Sequence, residues 1–195
     1  VPLLATAARP EGILRDQAQP VLRTGDLVLR PWRESDVDAV VAAYADPGIQ
    51  RWHVRTMTGE EALDWIESWS RYWTAERAAS WAVTGPDDVP LGQVGLRQVD
   101  LFEGHAHVSY WVRPEARGKG VAIAATEAMV DWCFGAAGLH RLQLSHSTAN
   151  AASCRVAGKL GFALEGTSRG AGRHADGWHD MHVHSRLRDD PVAGR

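Results

Sequence analysis

Apolar residues in this chain recur at two spacings, and the switches between those spacings mark its elements. Leu27-Val28-Leu29-Arg30-Pro31-Trp32 is a β-type run stopped by proline. Val37, Val40, Val41 and Tyr44 then keep helical spacing, with Ser35 placed as an N-cap and Pro47-Gly48 at the far end. A second helix is expected after Thr58, which stands three residues before Glu61 in a capping-box arrangement, and runs to about Arg77. Residues 80–84, 91–99 and 105–112 read as three antiparallel strands in a meander, parted by Gly85-Pro86-Asp87-Asp88 and Phe102-Glu103-Gly104. An alanine-rich helix over 120–137 ends at Gly138, where helices often stop. A partly buried strand over 139–145, a helix at about 151–160, a strand from Phe162, a glycine-rich hairpin around 170–177 and a last strand over 178–187 complete the chain. The order β-α-α-β-β-β-α-β-α-β-β implies an α+β sandwich around a mixed sheet. Residues 1–22 hold no sustained period, so a flexible N-terminal arm is expected ahead of a single domain over 23–190.

Composition narrows the function classes. A length of 195 residues, 45% of them apolar, suits one core. A net charge of −3, from 21 basic and 24 acidic residues, lacks the basic excess that holds a protein on nucleic acid or an anionic membrane, so neither partner is expected. Apolar stretches are broken by charge well before the ~20 residues of a spanning helix, and no secretory layout opens the chain, so a cytoplasmic protein is expected. Cys133 and Cys154 both fall in helical segments, which argues against a disulfide framework and for burial as their role.

Arg117-Gly118-Lys119-Gly120-Val121-Ala122 lies between a strand and a helix, where first-turn N–H groups lack internal partners and can bind an anion. Gly118 and Gly120 would clear the approach for a diphosphate, and Arg117 and Lys119 add positive charge. By itself the loop also fits an ordinary strand-to-helix turn. The dinucleotide fingerprint and the P-loop both fit badly, since Ile123 stands at the third glycine and no Gly-Lys-Ser/Thr ending is present.

The stretch Arg117-x-x-Gly120-x-Ala122 resembles the pyrophosphate loop of the GCN5-related N-acetyltransferase (GNAT) superfamily. Asn150, Ser153, Leu160, Gly161 and Phe162 match a second family element at its spacing. Leu27-x-Leu29-Arg30-Pro31-Trp32-x-x-x-Asp36, Asp46-Pro47, Tyr110-Trp111-Val112, Glu165-Gly166 and Gly177-Trp178-x-Asp180 resemble landmarks of its ribosomal-protein alanine N-acetyltransferase subfamily, over about residues 25–187. The resemblance implies a GNAT fold: a mixed, mostly antiparallel sheet with helices on both faces and a splayed central strand pair. It implies acetyl-CoA as co-substrate without a metal, Asn150 holding the pantetheine arm, and backbone N–H near Trp111 or Val112 stabilising the oxyanion. The acceptor would be a primary amine, on a peptide or protein N-terminus or on a small molecule, attacking directly in a ternary complex.

Transfer to an amine needs a neutral nucleophile and a stabilised leaving thiolate. His105 and His107 share one strand face with Ser109 and Trp111, and His107 is the preferred base, set against a merely hydrogen-bonded strand histidine. The tyrosine that many relatives carry seven residues after the asparagine is Ala157 here, so Ser153 is expected to hydrogen-bond the thiolate; its alternative is a bond to the preceding helical turn. Trp65, Trp69 and Trp73 form a helical stripe that serves either the core or a substrate groove or dimer surface, and Trp32 and Trp52 are placed to reach the acceptor cleft. A homodimer is one option for the assembly. His174, His179, His182 and His184 lack a fourth ligand or a zinc spacing, so solvated hairpin histidines are expected there. The competing function is an idle acyl-CoA-binding sensor or scaffold.

Overall fold

A computed structural model describes residues 4–191. Its elements are β1 (Leu22–Thr24), β2 (Leu27–Arg30), α1 (Val37–Ala45), α2 (Pro47–His53), α3 (Gly59–Thr74), β3 (Ala79–Thr84), β4 (Pro90–Asp100), β5 (His105–Val112), α4 (Val121–Phe134), β6 (Arg141–Ser147), α5 (Ala151–Lys159), β7 (Ala163–His174) and β8 (Gly177–Leu187). The strands form one sheet in the order β1-β2-β3-β4-β5-β6-β8-β7. Every neighbouring pair is antiparallel except β5 and β6. The α+β class and the mixed sheet expected from the pattern are therefore present.

Alternation along β5 separates two cores, because successive side chains leave opposite faces of the sheet. Ala106 and Val108 join Val121, Ala125, Met129 and Val130 of α4 on one face. Trp111 joins Val40 and Tyr44 of α1 and Trp65, Ile66 and Trp69 of α3 on the other. Each such large apolar side chain taken out of water contributes roughly 1.5–3 kcal/mol. The tryptophans divide along the same line, with Trp32 and Trp65 rings 5.1 Å apart in one core and Trp81 and Trp132 rings 5.4 Å apart in the other.

Local chemistry sets the helix starts. Thr58 and Glu61 form the expected capping box, with Glu61 N donating to Thr58 Oγ1 at 3.2 Å and Thr58 N donating to Glu61 Oε2 at 2.8 Å. At α1 the expected N-cap, Ser35, is replaced by Asp36, and Ser35 lies in a 3-10 turn. The Asp36 carboxylate instead accepts two bonds from the Arg30 guanidinium, at 2.8 and 2.9 Å, with both side chains buried. The pattern missed α2, which is short; Asp46 caps it by accepting from Ile49 N at 2.9 Å, and Pro47 occupies its first turn. The last hairpin turns at Ala175-Asp176, within the 170–177 span expected, and Gly170 lies inside β7 next to a register shift.

Several described residues of the N-terminal arm contact the domain. Leu14 is buried, and the Glu76 carboxylate accepts from Gly12 N and Leu14 N, both at 2.7 Å. The indole N–H groups of Trp73 and Trp81 donate to Gln17 and Pro20 carbonyls at 2.8 and 2.7 Å. Buried polar groups of the domain need partners, and the arm's backbone supplies them. Cys133 is buried as expected, whereas Cys154 of α5 is exposed.

Candidate active site

β5 and β6 pair at only three positions, His105 with Arg141, Ala106 with Leu142 and His107 with Gln143. Beyond them the strands part, and Val108 to Val112 faces Leu144 to Ser147 across a cleft of about 740 Å³. Diverging strands leave backbone groups without a ladder partner, so the gap is lined by donors and acceptors that an extended arm can use.

The donor end of the cleft is built by the starts of two helices. Gly118 and Gly120 sit at φ 75° and 78°, the left-handed region that glycine adopts without strain, and a Cβ at either would meet nothing within 4 Å. The loop therefore turns sharply and leaves open space in front of α4, whose N-cap Gly120 offers no capping side chain. The first-turn N–H groups of α4 are thus available to an anion. At α5, Asn150 caps the helix by accepting from Ser153 N at 3.1 Å, which fixes both side chains at the cleft. Arg117 is tied down as well: its Nε donates to the Val112 carbonyl at 3.1 Å and its guanidinium pairs with Asp46. Burial pushes the Asp46 carboxyl up, but Arg117 and the Ile49 and Gly48 amides hold it below its usual range. One carboxylate so joins the cap of α2 to the 117–122 loop.

Two residues to which the sequence reading gave no site role, Tyr110 and His53, line the cleft. The Tyr110 hydroxyl donates to Ser153 Oγ at 3.0 Å. Burial raises the Tyr110 pKa, opposed by that bond, so the phenol is protonated at neutral pH. Because Ser153 Oγ accepts, its own proton is free to point elsewhere. His53, at the end of α2, also lines the cleft. Burial lowers its pKa to about 4, against a hydrogen bond with the Tyr110 backbone, and Arg97 and Arg55 lower it further. Tyr110 was legible as part of a motif but not as a hydroxyl aimed at Ser153, and His53 lay in a helix the pattern did not show.

Of the residues expected at the site, Trp111, Val112, Arg117, Gly118, Gly120, Val121, Ala122, Asn150, Ser153 and Trp52 line the cleft. Lys119 and His107 are not among the lining residues. His107 sits at the closed end, where β5 is still paired with β6, and its pKa is lowered by burial and by Arg141 and His105. Trp32 and Trp69 are buried between α1, α3 and the sheet, and Trp73 is buried in the opposite core. The tryptophan stripe therefore packs, and Trp52 alone of these four borders the cleft.

A helix start with open first-turn amides at the mouth of a gap between diverging strands suits an acyl-CoA-dependent transferase. The chain belongs to the GNAT acetyltransferases: residues 26–163 match the family model described as Acetyltransferase (GNAT) domain. It is similar to the N-acetyltransferase YoaA of Bacillus subtilis, 28% identical over 77% of this chain and 86% of that protein. Its fold is that of the ribosomal-protein-S5-alanine acetyltransferase of Vibrio fischeri, with a TM-score of 0.79, 23% identity, and 88% and 98% of the two chains covered. It is also that of Mycobacterium smegmatis RimJ in complex with CoA-disulfide, with a TM-score of 0.75, 24% identity and 86% of each chain covered. The protein is an acetyl-CoA-dependent N-acetyltransferase, with acetyl-CoA as co-substrate. No helix among the described residues is long and apolar enough to cross a membrane.

Proposed function

We propose that this enzyme transfers acetyl directly from acetyl-CoA to the N-terminal α-amine of a protein or peptide, in the cytoplasm, where both reactants occur. The observation that carries direct transfer is that the coenzyme residues Gly118, Gly120, Asn150 and Ser153 share one cleft with Trp52 and His53 of α2, while neither cysteine lines it. Amine and thioester therefore meet without a cysteine nucleophile between them. The resemblance in fold to an S5-alanine acetyltransferase supports the peptide acceptor.

An α-amine has a pKa near ~8, so roughly a tenth of it is neutral at pH 7 and attacks without a strong base. Attack produces a cationic nitrogen in the tetrahedral intermediate, a much stronger acid than the free amine. The neutral His53 imidazole, or water beside it, takes that proton. His107, outside the lining, would act only through intervening water. Backbone N–H near Trp111 and Val112 steadies the oxyanion. As the C–S bond breaks, Ser153 gives its hydrogen bond to the sulfur and Tyr110 supports Ser153 from behind.

A panel of peptides with free or blocked N-termini, free amino acids and polyamines, read by thiol release and product mass, tests this reading. Acetylation of the free N-terminus, with none on blocked peptides that retain lysine, is the expected result. Faster turnover of free amino acids or polyamines would overturn the peptide acceptor. CoA binding without acceptor-dependent thiol release would favour a sensor module instead.

A further inference from the structure

Beside the cleft, three histidines and a cysteine converge from three elements. His146 of β6 faces His182 of β8 across the ladder, His184 lies two residues further along β8 on the same face, and Cys154 reaches in from α5. One ligand atom from each of the four lies within 4.8 Å of every other.

The hydrogen bonds around this group pose a chemical problem. His146 Nδ1 is 2.8 Å from the Ser147 carbonyl, so that nitrogen carries the proton and Nε2 is left with a lone pair. His184 Nδ1 faces the Phe162 carbonyl at 3.4 Å, which favours the same tautomer. Their Nε2 atoms are 3.2 Å apart, with both rings buried. A proton carried by one of these nitrogens, or a cation between them, is what holds them at this distance. His182 adds a buried Nδ1 with no hydrogen-bond partner. An imidazole whose far nitrogen donates to a backbone carbonyl is oriented in the way metal-bound histidines are.

We propose that His146, His182, His184 and Cys154 bind a zinc ion that clamps α5 onto β6 and β8. Imidazole and thiolate together suit a borderline-soft cation with tetrahedral preference. Bonds of ~2.0–2.3 Å place tetrahedral ligands about 3.3–3.8 Å apart, so the His146–His184 pair is already at that spacing and the widest separation must close by about 1 Å. Cys154 is exposed, which leaves its side chain free to rotate inward. Binding converts its thiol to thiolate and releases one proton to solvent. With four protein ligands the ion has no open position, so it braces rather than reacts. The braced helix carries Asn150 and Ser153, and His146 itself lines the cleft, so the metal would steady the coenzyme wall. From sequence, His182 and His184 had no visible partners; the fold brings His146 and Cys154 to them.

The test uses the full chain, stripped with a chelator, kept reduced with a phosphine, and titrated with cobalt(II) and then zinc. Cobalt should give the intense visible bands of a tetrahedral site and a thiolate-to-metal charge-transfer band, and one equivalent of zinc should abolish both. Cys154→Ser, a surface change, should remove the charge-transfer band, and Cys154→Ser and His182→Gln should each weaken zinc binding by at least about 100-fold. One equivalent of zinc should raise the melting temperature of the wild type and that of Cys154→Ser far less. Weak six-coordinate cobalt bands, or a spectrum and melting response identical in Cys154→Ser, would overturn the proposal. None of these readouts depends on the acceptor or on turnover.

Discussion

The two walls of the cleft are built on different principles. The donor wall, formed by the 117–122 loop, α4 and the start of α5, works through backbone geometry: positive φ at two glycines, free amides at a helix start, and an asparagine cap. The acceptor wall, formed by α2 with α1 and α3 behind it, works through packed aromatic side chains and a buried ion pair. Backbone geometry recognises a constant ligand and tolerates little change, whereas a wall of side chains can be varied for different amines without disturbing the coenzyme. Asp46 touches both, capping α2 and pairing with Arg117.

Asp36→Ala should break the acceptor wall and spare the donor wall. It leaves the Arg30 guanidinium buried with Asp88 as its remaining charged partner, and loss of one partner of a buried pair costs about 3–5 kcal/mol. Because Asp88 remains, urea unfolding should show a loss near ~3 kcal/mol, while calorimetry on the still-folded fraction should give an unchanged CoA Kd. A CoA affinity that falls in step with stability would erase the distinction between the walls.

Acid should act on the same wall through His53. Burial holds its folded pKa at about 4, whereas the unfolded side chain titrates near ~6.5. The unfolded chain therefore gains a proton first as pH falls. Stability is full above pH ~6.5 and declines by roughly 3 kcal/mol as pH drops from ~6.5 through the folded pKa. His53→Gln should flatten that part of the stability curve; a curve of equal slope would show that His53 is not held neutral by the fold.

The contrast between the walls also explains what the sequence revealed. The donor wall was readable because its glycines, Asn150 and Ser153 lie in two short contiguous stretches whose spacing is itself the geometry. Strand alternation and the Thr58–Glu61 capping box were readable for the same reason. The acceptor wall was not, because α2 spans seven residues around Pro47-Gly48, where local signals favour a stop. Nothing in the periodicity tells whether Trp69 faces a groove or a core; the packing of α1 across α3 decides it. The contacts of the arm, Glu76 to Gly12 and Leu14, were not legible because they span more than sixty positions.

Gly120→Val targets the donor wall alone. A β-branched residue at φ 78° is strained by about 1–3 kcal/mol, and relief would rotate the first amides of α4 away from the diphosphate. CoA affinity should fall on the order of 30-fold, with the melting temperature and acceptor KM changed far less. Equal loss for CoA and for dephosphorylated pantetheine would place the effect elsewhere than the diphosphate.

The smallest effect probes the point where the walls meet. Tyr110→Phe keeps the ring, which packs against the α4 core, and removes only the hydroxyl that donates to Ser153 at 3.0 Å. A hydrogen bond between neutral groups contributes about 0.5–1.5 kcal/mol, so kcat should fall by roughly 2- to 10-fold. The loss belongs in kcat because the bond matters as sulfur departs with negative charge, after both substrates are bound. Donors with a more acidic leaving thiol need less help, so the variant's deficit should shrink with them. Ser153→Ala should remove that dependence as well, and the double variant should cost no more than Ser153→Ala, since Tyr110 acts through Ser153. Additive losses would give Tyr110 a separate role against the thioester.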